Sequence, residues 1–256
     1  MTTRLAGGAR TRRALPAFTL PLALLAAGCG SGGSPSAGAL EGDPVAAVAP
    51  PAGQSWTDVV QTTPEGGFLI GNPQAPIQVV EYLSLTCPAC AQFNQTGTPE
   101  LKERYVSTGR VSLEMRNQIH GPHDLVLARL VRCGPEGTGA ALSEQVLANQ
   151  QALLEPVFAN QAAFEQALAL PEQQRFVRAA EVAGFFDFFA ARGLGEQQAR
   201  QCLADSASLE RLAQQSQTQS EQLDIRGTPS FLVNGQKVEA STWAQLEPVL
   251  QRAGAR

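Results

Sequence analysis

Ile77-Gln78-Val79-Val80-Glu81-Tyr82-Leu83 is a β-branched and aromatic run entered through Pro76, and it reads as a strand. Shortly after it, Cys87-Pro88-Ala89-Cys90 opens a stretch with helical spacing that runs through Phe93 to about Tyr105, with Pro99 expected to kink it. Val111 to Met115 can form the next strand. The paired cysteines therefore sit where a strand hands over to a helix inside a strand–helix–strand unit. The first thiol, Cys87, then meets the positive end of the helix dipole and unpaired backbone N–H groups. Such sites lower a cysteine pKa from roughly 8.5 towards 3.5–7.5. Cys90, one turn on, is placed to attack Cys87 in a mixed disulfide. Pro88 suits the first helical turn, where a missing N–H costs little.

Two further features bear on this site. Glu81 lies on the same strand face as Val79 and Leu83, where an acid is expensive unless it titrates or pairs. One reading makes it a buried proton acceptor for Cys90; the other is an edge-strand glutamate in water. Far downstream, Gly227-Thr228-Pro229 precedes the run Phe231 to Val238, a hairpin turned at Asn234-Gly235. A proline there fits a cis peptide in a tight turn, with an ordinary trans strand entry as the alternative.

The segment Glu81 to Cys90, taken with Arg226-Gly227-Thr228-Pro229-Ser230-Phe231-Leu232-Val233-Asn234-Gly235, resembles the DsbA-like branch of the thioredoxin superfamily, from about Gly67 to about Arg252. The resemblance implies an α/β thioredoxin fold with a helical insertion between the strand–helix–strand half and the C-terminal hairpin–helix half. It implies a thiol–disulfide oxidoreductase without cofactor, Cys87 the exposed nucleophile, Cys90 the buried resolving cysteine and Glu81 the buried acid. It makes Pro229 the cis-proline against the dithiol, and Thr228 the residue whose backbone receives a substrate strand. The strongest oxidants of that branch carry a histidine before the second cysteine, where this chain has Ala89, and Thr228 matches isomerase-like relatives. A less stabilised thiolate makes a weaker oxidant. Oxidation of substrates is the favoured direction, with reductase and isomerase as alternatives.

The N-terminus carries its own signals. Arg4, Arg10, Arg12 and Arg13 precede the uncharged run Ala14 to Gly28, which suits a signal-peptide core. Leu24-Leu25-Ala26-Ala27-Gly28-Cys29 resembles a bacterial lipobox, so Cys29 is expected to carry lipid and residues 1–28 to be removed. Thr11-Arg12-Arg13 is a fragment of a twin-arginine motif whose remainder is missing. Loss of residues 1–28 removes four of the 19 basic residues and none of the 23 acidic ones, leaving −8. That balance, with no basic cluster, argues against nucleic acid and leaves the lipid as the membrane attachment. Gly, Ser, Pro and Ala fill residues 30–54, expected to be a flexible tether before a thioredoxin-like domain at 55–256. Ala-, Gln- and Leu-rich helices occupy about 121–223.

Once Cys29 is set aside, four of the five cysteines remain. Cys133 and Cys202 are expected to form a structural disulfide in the oxidising cell envelope, with two buried thiols as the alternative. His120 and His123 invite a zinc reading with Cys87 and Cys90, but 29 residues separate Cys90 from His120, a poor spacing. The expected partners are exported protein thiols and an envelope redox protein. A metal-binding thioredoxin-fold module and a non-catalytic lipoprotein are the readings from other classes.

Overall fold

The computed structural model of the chain describes residues 40–256. The expected signal peptide, Cys29 and the first part of the tether lie outside the described residues. Along the chain run β1 (Val60–Thr62), β2 (Phe68–Gly71), β3 (Ile77–Leu83), α1 (Pro88–Thr96), α2 (Thr98–Arg104) and β4 (Val111–Asn117). The helical insertion follows as α3 (Pro122–Leu130), α4 (Gly139–Ala148), α5 (Gln150–Ala159), α6 (Gln161–Leu168), α7 (Glu172–Val182), α8 (Phe185–Ala190), α9 (Glu196–Ala204) and α10 (Ser206–Gln222). It closes with β5 (Ser230–Val233), β6 (Gln236–Val238) and α11 (Trp243–Arg252). No helix among the described residues is long and apolar enough to cross a membrane.

The six strands lie in the order β1-β2-β4-β3-β5-β6. β3 and β4 are parallel, as the α1–α2 crossover between them requires, and the other neighbours are antiparallel. β3 is thus a central strand, with Glu81 opposite Met115 on one side and Phe231 on the other. Ile77, Val79 and Leu83 are buried on its core face, while Tyr82 packs with Ile225 and Leu232 in a smaller cluster. The hairpin turn has positive φ at both Asn234 (49°) and Gly235 (76°), the geometry of a type I′ turn. Asn234 Oδ1 also accepts from the Gln78 amide at 2.8 Å, tying the turn back to β3.

Two expectations need correction. The bend expected at Pro99 falls earlier, at Gly97, where α1 ends and α2 begins, and Pro99 occupies the first turn of α2. A Cβ at Gly97 would stand 2.5 Å from the Phe93 ring, so the chain turns where no side chain obstructs it. The second concerns the tether. Within 30–54 the described part is fastened down: Gly42 N–H donates to Arg252 O, Val45 N–H to Gly254 O and Val48 N–H to Thr108 O, each at 2.9 Å. Trp56 adds a 2.7 Å bond from Nε1 to Val48 O. A segment poor in bulky side chains adds only Leu40 and Val45 to the edge of the core, but its amides can still meet the carbonyls left open at the end of α11.

Candidate active site

Cys87 is the N-cap of α1 and partly exposed, whereas Cys90, one turn in, is fully buried; both are free thiols. Opposite them the Thr228–Pro229 peptide is cis and Pro229 is buried. As a thiol, Cys87 Sγ donates to Thr228 O at 3.2 Å. The cysteine pair and the residues before β5 are distant in sequence and adjacent in space, because β5 runs beside β3.

The two sulfurs are electrostatically unlike. Cys87 is pulled from its ordinary value of 9.0 down to about 5, first by a hydrogen bond from the Cys90 thiol. Thr228 and the backbone amides of Cys90 and Ala89 add to this, against a desolvation penalty. Thr228 Oγ1 is buried with no other partner among the described residues, so its hydroxyl is available to the sulfur. Cys90 is pushed the other way, first by donating that same bond to Cys87, then by burial and by the charge of Glu81. The arrangement holds one thiolate at the surface and one thiol behind it.

Glu81 is buried at 2% exposure on the central strand, which removes the edge-strand reading. Burial drives its carboxyl from 4.5 up to about 8, and the charges of Glu144 and Cys87 push in the same direction. Glu144 itself is paired with Lys102 at 2.9 Å. Near neutral pH Glu81 therefore holds a proton that it can give or take beside Cys90.

Reading the sequence missed two residues that hold the loop carrying Cys87. Asp124, fully buried in the first turn of α3, accepts from Ser84 Oγ at 2.7 Å, Leu85 N–H at 3.0 Å and His120 N–H at 2.9 Å. Burial raises its pKa and these donors oppose the rise. Gln150, buried at the start of α5, donates through Nε2 to Leu85 O at 2.9 Å and Cys87 O at 3.0 Å. The insertion thus braces the dithiol loop from both ends. Asp124 could be suspected as an acid just after Pro122, whereas Gln150 stands in a glutamine-rich stretch with nothing to mark it. The sulfurs of Cys133 and Cys202 are bonded to each other, with Cα atoms 6.1 Å apart. His120 serves the loop through its amide, and the His123 ring packs edge-on to Phe158 and Phe164. No group of three His, Cys, Asp or Glu that could hold a metal occurs among the described residues.

A titration checks the thiolate. The absorbance of reduced protein at 240 nm, minus that of the oxidised form, is expected to rise with a midpoint near pH 5. A pKa below the ordinary value means the anion is favoured by the fold. The associated stability is present above pH 9.0 and is lost as pH falls through about 5. A midpoint above pH 7 would contradict the geometry.

A sequence model of the thioredoxin family matches residues 63–252. A provisionally named protein-disulfide oxidoreductase of Rickettsia bellii is 26% identical over 189 residues, covering 74% of this chain and 65% of that protein. A similarly named protein of Rickettsia typhi is 26% identical over 186 residues, 73% of this chain and 61% of its own length. The chain thus spans somewhat under two thirds of these relatives. Among solved structures, a protein-disulfide isomerase from Novosphingobium aromaticivorans superposes with a TM-score of 0.68 at 30% identity, over 72% of this chain and 96% of that one. Wolbachia pipientis alpha-DsbA1 superposes at 0.61 with 19% identity, over 78% and 96%, and shares the fold.

Proposed function

Because the chain belongs to the thioredoxin family, we propose that it exchanges disulfides with exported proteins through Cys87 and Cys90, in the oxidising direction, as members of the DsbA-like branch do. A substrate thiolate attacks Cys87 Sγ of the oxidised pair, and the Cys87–Cys90 bond breaks with Cys90 as leaving group. Cys90 takes up the proton that Glu81 holds near neutral pH. A second substrate thiolate then attacks the mixed disulfide and expels Cys87 as thiolate. The substrate ends with a disulfide, the protein with a dithiol, and two electrons have moved. Thr228 offers its backbone to the substrate strand, and Pro229 closes the side of the site facing the sulfurs.

The observation that carries the reading is the opposed state of the two thiols, Cys87 down to about 5 and Cys90 raised. A stabilised Cys87 thiolate favours the reduced protein, which is what makes its disulfide an oxidant. The Cys133–Cys202 bond supports an oxidising compartment. The setting proposed is the cell envelope, with lipid on Cys29 as the anchor after removal of residues 1–28, and residues 30–39 joining the anchor to the docked segment. An envelope redox protein would reoxidise the pair.

Isomerisation is the second reading, favoured by Thr228 and by the name of the 30% identical structure from Novosphingobium. Equilibration of Cys87–Cys90 against glutathione tests the direction. An oxidant is expected at about −120 to −150 mV, and a value near −270 mV would mark a reductase and overturn the proposal.

A further inference from the structure

Among the described residues, three arginines line one cavity that the dithiol chemistry does not use. The cavity encloses about 330 Å³ and is walled by Arg129, Arg132 and Arg211, with Phe68, Glu136 and Gly139 among its other lining residues. Arg132 stands just past the end of α3 and spends its donors on neutral oxygens. Nη1 binds Asn117 Oδ1 and Ala128 O at 2.7 Å each, Nη2 binds Gly66 O at 2.8 Å, and the group lies over the Phe68 ring at 4.8 Å. No carboxylate comes within ion-pair distance of it among the described residues, and residues 1–39 contain no Asp or Glu. Its charge is met by dipoles alone.

The neighbours do not make up the deficit. Arg129 has one long contact with Asp205, at 3.4 Å, and its Nε is held by Cys202 O at 3.3 Å. Exposed Arg211 donates to Ser208 Oγ at 2.6 Å and joins no ion pair among the described residues. Burial and the charge of Arg129 push Arg132 down to about 10, and Arg211 acts on Arg129 in the same sense. A group carrying two or more negative oxygens would relieve that mutual repulsion and could accept hydrogen bonds from exposed Arg211, whose one recorded bond is from Nη2 to Ser208 Oγ. Gly139 opens α4, a ten-residue helix that no side chain caps, so the positive end of its dipole adds to the same field.

We propose that this cavity, between the end of α3, the loop after Cys133 and α10, binds a small oxyanion of the phosphate or carboxylate class. The ligand would sit at a site separate from Cys87 and against the elements joined by the Cys133–Cys202 bond. None of the three arginines contributes to the dithiol site, so this inference and the proposed redox activity stand or fall separately.

Calorimetric titration of the full chain with inorganic phosphate, and in a parallel arm with succinate, tests it, with ionic strength held constant by chloride. Saturable one-site binding is expected in at least one arm, and the tighter arm names the ligand class. Arg211→Gln, at an exposed position that leaves the core intact, is expected to weaken binding about tenfold. Glu136→Gln, which removes a negative charge from the rim, is expected to tighten it. No heat beyond that of chloride in either arm would overturn the proposal. So would equal affinity in the parent and Arg211→Gln proteins, since the arginines would then be structural staples only.

Discussion

Glu81→Gln is expected to stabilise the reduced protein by about 3 kcal/mol at pH 7 while slowing the steps that protonate or deprotonate Cys90. In the fold the Glu81 carboxyl ionises only near pH 8, against 4.5 for an ordinary glutamate. A raised carboxyl pKa makes its contribution greatest below pH 4.5, and that contribution is lost as pH climbs through about 8. At pH 7 the unfolded chain has released its proton and the native state has not, so unfolding is favoured by the difference. Glutamine fills the same space and cannot ionise, which removes the penalty. Urea unfolding at pH 4 and pH 7 measures it: the two proteins should be close at pH 4 and separate at pH 7. Stopped-flow reaction with a dithiol substrate should show about a hundredfold slowing of the Cys90-dependent step, the usual scale for loss of a positioned acid–base group. Equal stabilities at pH 7 would mean that Glu81 is solvated, and its assignment as the proton donor would fall.

The position of that acid was readable because its neighbours alternate. Val79 and Leu83 mark a buried face, and Glu81 interrupts it at the period of a strand. Cys87 and Cys90 were readable for a similar local reason: strand, turn, proline and cysteine follow one another within a few residues. The Asn234-Gly235 turn announced itself through backbone conformations that few other residue pairs adopt. The supports of the site were not readable in this way. Asp124 and Gln150 reach Leu85 from helices that follow 39 and 65 residues later; Pro122 draws attention to the first, but nothing near either residue points to the loop that it holds. The docking of residues 42–48 is hard to read because their bonds to Thr108, Arg252 and Gly254 are made by backbone, and Val45 is the one side chain among them that packs on the core. The cavity of Arg129, Arg132 and Arg211 was equally silent, since the third arginine comes from α10 and joins the first two only in the fold.

Removing the Cys133–Cys202 bond by a Cys133→Ala, Cys202→Ala double substitution is expected to cost about 4 kcal/mol of unfolding free energy, the chain-entropy value for a loop of this length. The bonded residues are 69 apart, and α4 to α8 and most of α9 lie between them. In the parent, the unfolded chain is denied every conformation in which that loop opens, and the variant regains them. Reduction of the parent by dithiothreitol should reproduce the loss, because the bond and not the two side chains carries it. The dithiol should be unaffected below the new melting temperature: Cys87 touches Thr228 and Gln150, and neither contacts Cys133 or Cys202 through a hydrogen bond. The midpoint of thiolate formation and the reduction potential of Cys87–Cys90 are therefore the controls. Turnover that drops in the double variant at a temperature where the fold is intact would instead make Cys133 and Cys202 participants in electron transfer, and the structural assignment would have to be withdrawn.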